Sequence, residues 1–326
     1  MSSHASRVEI NVRPSIVDTI HLRNVQLVLP AAPDAWHRPA HSQPCMAAVR
    51  LSYASCEASA NADDVGLTID YGKLYRCIVR DLNQLGEGRD VASLISAGAR
   101  IVNLNAVHLG DTVRGAVGED IRLTAGIIAN CCLQQLKETS LRAASITNHA
   151  FPPAVDQDFG RFQIHLGFPK AILRAEGGLE YRSITELGHV PGDDSTSQNY
   201  HQLVVLEEEF RIEQIRSYCI LGINSHERVE KQAVLTSLHF QGPALQPWSN
   251  RFIDTYQEMT RVVAERIETT LFGSVEALAT LVARIVTMEF DHDEVTVLVE
   301  KPSALGFVHG SGLECKRSRA YFEKRS

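Results

Sequence analysis

Hydrophobic and polar positions along the chain follow the same succession of patterns twice. Each half opens on a β-branched, alternating stretch, DTIHLRNVQLVLP at 18–30 and FRIEQIRSYCILG at 210–222, with the two-residue period of a half-buried strand. A second strand is predicted in each, PCMAAVRLSYAS at 44–55 and AVLTSLHF at 233–240. Helical patterns follow at 69–82 and 254–270, each with a tyrosine near its start. In the second of these, Met259, Val262, Val263 and Ile267 recur at three- and four-residue spacing and make one apolar face. Further helices are predicted at 121–139 and 274–289, and two closing strands around a turn at 162–182 and 294–315.

The plan ββααββ is thus written twice, which makes internal repetition the main feature of the chain. The stretch LGHVPGDDSTSQNYHQ, beginning at 187, has turn residues and almost no apolar period. It divides the chain into an expected first domain at 18–186, a linker at 187–207 and a second domain at 208–326. The first half carries an insertion at 84–120. GEGRD and GDTVRGAVGED within it have neither the GK[ST] ending nor the preceding strand of a phosphate loop, so a surface excursion is expected there.

Composition narrows the class. With 326 residues, 44% hydrophobic and 22% charged, the chain can bury a sizeable core. A net charge of −7 argues against a nucleic-acid surface. The seven cysteines show no metal-ligand spacing along the sequence and read as reduced thiols. No apolar signal core opens the chain, and no run approaches a membrane span. A cytoplasmic protein with no membrane partner is therefore expected.

Candidate chemistry gathers in the second half. Glu227 lies in a polar loop, GINSHERVEKQ, after the first strand; Glu276 lies at the start of the helix SVEALATLV; Lys301 ends a strand before a proline and a small-residue corner, VEKPSALGFVHGSGLE. Two carboxylates and a lysine suit an amidine-like heterocycle, because a carboxylate accepts two parallel N–H bonds and a dry lysine titrates nearer neutrality.

The ordered motifs IRSYCILGINSHERVEKQ, DTYQEM, SVEALATLVARI and VEKPSALGFVHGSGLE, over about 208–316, resemble the dihydroneopterin aldolase family. That family shows a Gly-x-x-x-x-Glu loop, a helix-opening Tyr, a Glu-x-Leu-Ala helix and a closing Lys-Pro strand. Residues 18–183 resemble a divergent second copy, as in the tandem aldolase module of fungal folate-synthesis proteins, without the two enzyme parts that follow there. The resemblance implies an α+β fold of two tandem tunnelling-fold domains. Each is a four-stranded antiparallel sheet with two helices, and the sheets of several subunits join into an oligomeric β-barrel, which removes exposed edges.

The resemblance also implies sites shared between neighbouring domains. One supplies the loop glutamate, the pterin-anchoring glutamate and the lysine, here Glu227, Glu276 and Lys301, and the neighbour supplies the tyrosine. Lining up the halves places Arg38 opposite Glu227, Arg122 opposite Glu276 and Phe168 opposite Lys301, with Lys170 displaced past the proline. The first half keeps Tyr71. The expected competent site joins Glu227, Glu276 and Lys301 to Tyr71, and the reciprocal set of Tyr256, Arg38, Arg122 and Phe168 is expected to be dead. The implied reaction is retro-aldol cleavage of 7,8-dihydroneopterin, with Glu276 and backbone near Val275 and Ile69 holding the pterin. Lys301, Glu227 and Tyr71 handle protons, and the ring's own C=N bond serves as electron sink, so no metal or cofactor is implied. Epimerisation shares the same intermediate, and reuse of the fold for a non-pterin molecule or as a non-catalytic, oligomer-forming subunit stays open at this stage.

Overall fold

The alternating stretches form strands that pair in chain order. The computed structural model describes residues 7–30, 33–38, 41–86, 100–112, 120–146, 158–189 and 202–324. The first half runs β1 (Glu9–Ile10), β2 (Val17–Leu29), β3 (Gln43–Ala54), α1 (Glu57–Ala62), α2 (Tyr71–Gly86), β4 (Ile101–Val102), α3 (Leu109–Thr112), α4 (Ile121–Ile146), β5 (Gly160–Phe168) and β6 (Ala175–His189). The second runs β7 (Gln202–Cys219), β8 (Gln232–Pro243), α5 (Pro247–Glu268), α6 (Val275–Arg284), β9 (Glu294–Lys301), β10 (Ser311–Ser318) and α7 (Arg319–Glu323). The main path of the sheet is β10-β9-β8-β7-β6-β5-β3-β2, antiparallel throughout. The last long strand of the first half, β6, pairs with the first strand of the second, β7, so one sheet passes through both.

The helices cover one face of this sheet. In β5, Phe162, Ile164, Leu166 and Phe168 are buried while Arg161, Gln163 and His165 between them are half-buried. The buried set faces α4, and each such side chain removed from water contributes about 1.5–3 kcal/mol. A single apolar cluster continues from Leu51 and Leu74 in the first half to Val263 and Val297 in the second. The other face is polar. There Glu209 accepts hydrogen bonds from Arg182 and Arg211 at 2.5 Å each and pairs with His239 at 3.0 Å. Burial opposes its charge, but those three donors hold its carboxyl well below the usual range.

Several sequence expectations change. The second half's first helix begins at Pro247, seven residues before 254, because a proline is well placed at the first helical position. Tyr256 is therefore a mid-helix residue. Between the halves, β6 continues to His189 and β7 starts at Gln202, so Leu187, Leu203 and Val204, which flank the turn stretch, pair across the two strands. The centre of that stretch, 190–201, lies outside the described residues.

The insertion, too, is partly built into the sheet. Residues 87–99 and 113–119 lie outside the described residues, but Ile101, Val102 and Leu109 are buried. The β6–β7 pair extends beyond β5 and β8. Its two flanks there are taken up by β1, against Gly188 and His189, and by β4, parallel to Leu203 and Val204. A flank with unpaired backbone groups has to be covered, which is why residues 100–112 are not a surface excursion.

The turn DHDE at 291–294 leads into β9 and buries His292 against Phe240, with ring centroids 4.8 Å apart. Burial pushes the His292 imidazole down to about 4. The unfolded chain takes up this proton near the ordinary value of 6.5 and the folded one does not. Stability is therefore expected to fall as pH drops from 6.5 to 4, by roughly 3 kcal/mol. Unfolding free energy measured against pH should show this slope, and His292→Gln should flatten it.

Candidate active site

The Gly-x-x-x-x-Glu spacing of the second half has a direct physical cause. Gly222 has φ +147°, and a Cβ added there would lie 2.3–2.5 Å from the Glu227 carboxylate. Glycine is thus required both by the backbone and by the acid folded back over it. Residues Ser225–Arg228 form a 3-10 turn opened by Asn224, whose N–H and side-chain amide donate to Glu227 Oε2 at 3.1 and 2.8 Å. Arg228 donates to the carbonyls of Gly222 and Leu271, and the Gly222 N–H donates to Phe272 O at 3.1 Å. The loop is therefore fastened to the segment just before α6.

Lys301, the last residue of β9, meets this loop. It is 8% exposed, and its Nζ donates to Glu227 Oε1 at 2.7 Å and to Leu221 O at 3.1 Å. The Gln232 amide shares the same Leu221 carbonyl. Lys301, followed by the Asn224 donors, holds the Glu227 carboxyl down at about 2. The stability this pair contributes is present above the carboxyl's ordinary value of 4.5 and is lost as pH falls towards 2. Glu227 is thus a carboxylate throughout the neutral range. Glu276 projects from the first turn of α6, exposed, behind the Ser274 cap whose hydroxyl accepts from Ala277 N at 3.3 Å. Val275 beside it is half-buried against the core.

Tyr71 and Ile69 lie elsewhere. Tyr71 opens α2, where Asp70 accepts hydrogen bonds from the N–H groups of Gly72 and Lys73. α2 packs on β2, the opposite end of the sheet path from β9 and β10. Five strands lie between β2 and β9, a separation of roughly 20–30 Å. One chain therefore brings Glu227 and Lys301 together beside the Glu276 turn, and it does not bring Tyr71 to them. Tyr71 is 68% exposed, whereas Ile69 is buried.

Residues 210–316 match the dihydroneopterin aldolase (FolB) family. The folic acid synthesis protein fol1 of Schizosaccharomyces pombe is 29% identical over 169 residues, covering 52% of this chain and 20% of that protein. Its counterpart in Pneumocystis carinii is 23% identical over 313 residues, 95% of this chain and 33% of that protein. The chain thus spans a third or less of the length of these two relatives. Escherichia coli dihydroneopterin aldolase, solved in complex with neopterin, is 19% identical with a TM-score of 0.30 over 34% of this chain and 98% of that one.

Outside the aldolase-like segment, the first half puts different side chains at the corresponding places. Arg122 is the second residue of α4, as Glu276 is of α6, and Phe168 closes β5 as Lys301 closes β9. Phe168 is fully buried. Arg38 pairs with Asp34 at 2.6 Å, and that arginine holds the Asp34 carboxyl down at about 2. Arg122 pairs with buried Asp120 at 2.5 Å and donates to Asn250 at 2.7 Å and Ser249 at 3.2 Å. Nearby, buried Glu208 accepts from Tyr181 OH at 3.0 Å and from Leu245 N at 2.7 Å. Burial raises its carboxyl, and Arg122 opposes the rise. Tyr256, 3% exposed, donates to Pro33 O at 3.4 Å, and Gln257 holds Asp34 O at 3.1 Å. Charge pairing and packing occupy this junction.

Reasoning along the sequence missed Asn224, Arg228 and Gln232 as supports of the site. The Gly-x-x-x-x-Glu spacing was the available signal, because an acid folded over a glycine needs donors from the intervening loop. Gly222→Ala is expected to displace Glu227 and to lower stability by about 1–3 kcal/mol, read by denaturant unfolding. Arg122→Ala is expected to lower it by about 3 kcal/mol, because Asp120 and Glu208 stay buried without their cation.

Proposed function

We propose that the chain is a dihydroneopterin aldolase or epimerase acting on 7,8-dihydroneopterin, with its competent site completed between two copies. The observation that carries this reading is the pairing of buried Lys301 with half-buried Glu227 beside the turn that presents Glu276. Glu276 receives the pterin 2-amino group and N3–H as two parallel hydrogen bonds, next to backbone at Val275. The bond between the first two side-chain carbons breaks, and its electron pair moves into the ring C=N bond. N5 takes a proton from Lys301, directly or through water, while Glu227 keeps the ammonium in place. The hydroxyl on the departing carbon loses its proton to Tyr71 or a water next to it, and glycolaldehyde leaves. Returning the proton to the ring-side carbon gives 6-hydroxymethyl-7,8-dihydropterin; re-adding the aldehyde to the other face gives the epimer.

The internal junction supports the shared site. Where β6 meets β7, a loop of the first half covers Tyr256 on the neighbouring helix α5. The two ends of the sheet path, β10 and β2, are related in the same sense. Pairing of β10 from one copy with β2 of the next brings Tyr71 and the backbone near Ile69 to Lys301, Glu227 and Glu276. It also closes edges that would otherwise offer unpaired backbone groups, building two tandem domains per chain into an oligomeric barrel.

Titration with neopterin, followed by fluorescence, is expected to show micromolar binding that Glu276→Ala abolishes. Lys301→Ala and Tyr71→Phe should each lose 7,8-dihydroneopterin turnover. Mixing the two inactive proteins under conditions of subunit exchange should restore about a quarter of wild-type activity, since one site then regains both groups. No binding by either protein would sink the pterin assignment, binding that survives in Glu276→Ala would sink the anchoring role of that acid, and absence of recovery on mixing would sink the shared site.

A further inference from the structure

One cluster of reactive groups lies away from Glu227 and Lys301. Between α2 and α4, Cys77, Asp81 and Cys131 are all buried, with their sulfurs and a carboxylate oxygen within 4.8 Å of one another. Cys77 and Asp81 are one helical turn apart on α2, and Cys131 faces them from α4. Gln134, one turn further along α4, brings its Oε1 to 3.6 Å from Cys77 Sγ.

We propose that Cys77, Asp81 and Cys131, with Gln134 as fourth donor, form a structural site for a soft divalent cation of the zinc class. Two thiolates and a carboxylate suit such an ion, which takes sulfur and carboxylate oxygen in a tetrahedron, and the Gln134 carbonyl, a harder donor, completes the fourth corner. The spacing suits it as well. Metal–sulfur bonds of about 2.3 Å and metal–oxygen bonds of about 2.1 Å at tetrahedral angles put sulfur and oxygen about 3.5 Å apart. The Asp81 Oδ2 atom lies 3.4 Å from Cys131 Sγ and 3.8 Å from Cys77 Sγ.

Charge supplies a third argument. Two thiolates and a carboxylate carry three negative charges, a divalent cation returns two, and the remaining one is met by Arg80. Its guanidinium donates to Asp81 Oδ1 at 2.7 Å and to Cys77 Sγ at 3.3 Å, the place of an outer partner that orients ligands. With exposed Arg80 closing the charge balance at the rim, the three ligands can stay buried around a cation, whereas the same ligands deprotonated without one cannot. Bound there, the ion pins α2 to α4 and so fixes the helix that begins at Tyr71. It takes no part in proton transfer at Lys301.

The test uses the 326-residue chain, reduced and freed of metal with a chelator, then titrated with Co²⁺ and afterwards with Zn²⁺. One equivalent of Co²⁺ is expected to give a thiolate-to-cobalt charge-transfer band and the intense visible bands of tetrahedral cobalt, both removed by Zn²⁺. Cys77→Ser and Cys131→Ser should each lose the charge-transfer band, and Arg80→Gln should keep it with affinity reduced about 10-fold. Zn²⁺ should raise the melting temperature of the wild type and not of the serine variants. Absence of the band in the wild type, or its survival in both serine variants, overturns the proposal. If the serine variants fail to fold, alkylation of the wild type decides. Zn²⁺ should protect Cys77 selectively while leaving the rate at half-buried Cys56 unchanged, and equal rates at Cys77 with and without Zn²⁺ overturn the site.

Discussion

The pairing of β6 with β7 is the constraint on which the rest depends. It joins the last strand of one ββααββ run to the first strand of the next, so eight long strands follow a single path with β2 and β10 at its ends. The order of strands then decides which side chains can meet. Lys301 on β9 and the Glu227 loop after β7 fall within reach of each other, while α2 with Tyr71 is carried to the far end. It also creates the two flanks that β1 and β4 cover. A local antiparallel ladder thereby governs the separation of groups that the chemistry needs close together.

Buried charge is handled by the same rule in both halves, with different outcomes. In the second half, Lys301 is taken out of water only together with Glu227 and the Leu221 carbonyl. In the first half, Arg122 is buried with Asp120, near Glu208. Each cation has its counter-ion because an unpaired one would cost several kcal/mol. The difference lies in what remains available. The lysine pair sits at the end of a strand beside an exposed acid, whereas Arg122 is spent on side chains of the neighbouring helix α5, and the tyrosine there is buried by the loop at Pro33 and Asp34.

Strand positions were legible because alternation of buried and half-buried residues is a local property; β2, β3, β5, β8 and β9 lie close to where the pattern placed them. The Gly222–Glu227 spacing was legible for the same reason, since a tight turn needs only its own residues. Boundaries set by packing were not. The proline that opens α5 at Pro247 permits a helix start without demanding one, and nothing in ARIVNL announces a two-residue strand, which forms because Leu203 and Val204 need a partner. The cysteines gave no spacing signal because Cys77 and Cys131 come from helices far apart along the chain.

The sequence by itself determined the strand and helix types, the repeated order of elements, and the identity of the acid, lysine and glycine that make up the second half's loop. Those depend on neighbours within a few residues. Only the tertiary structure decided that Glu227 and Lys301 touch, that Tyr71 stands apart from them in its own chain, and that Cys77, Asp81 and Cys131 converge. Such distances are set by sheet order and helix packing, in which residues remote in sequence compete for the same space and the same hydrogen bonds.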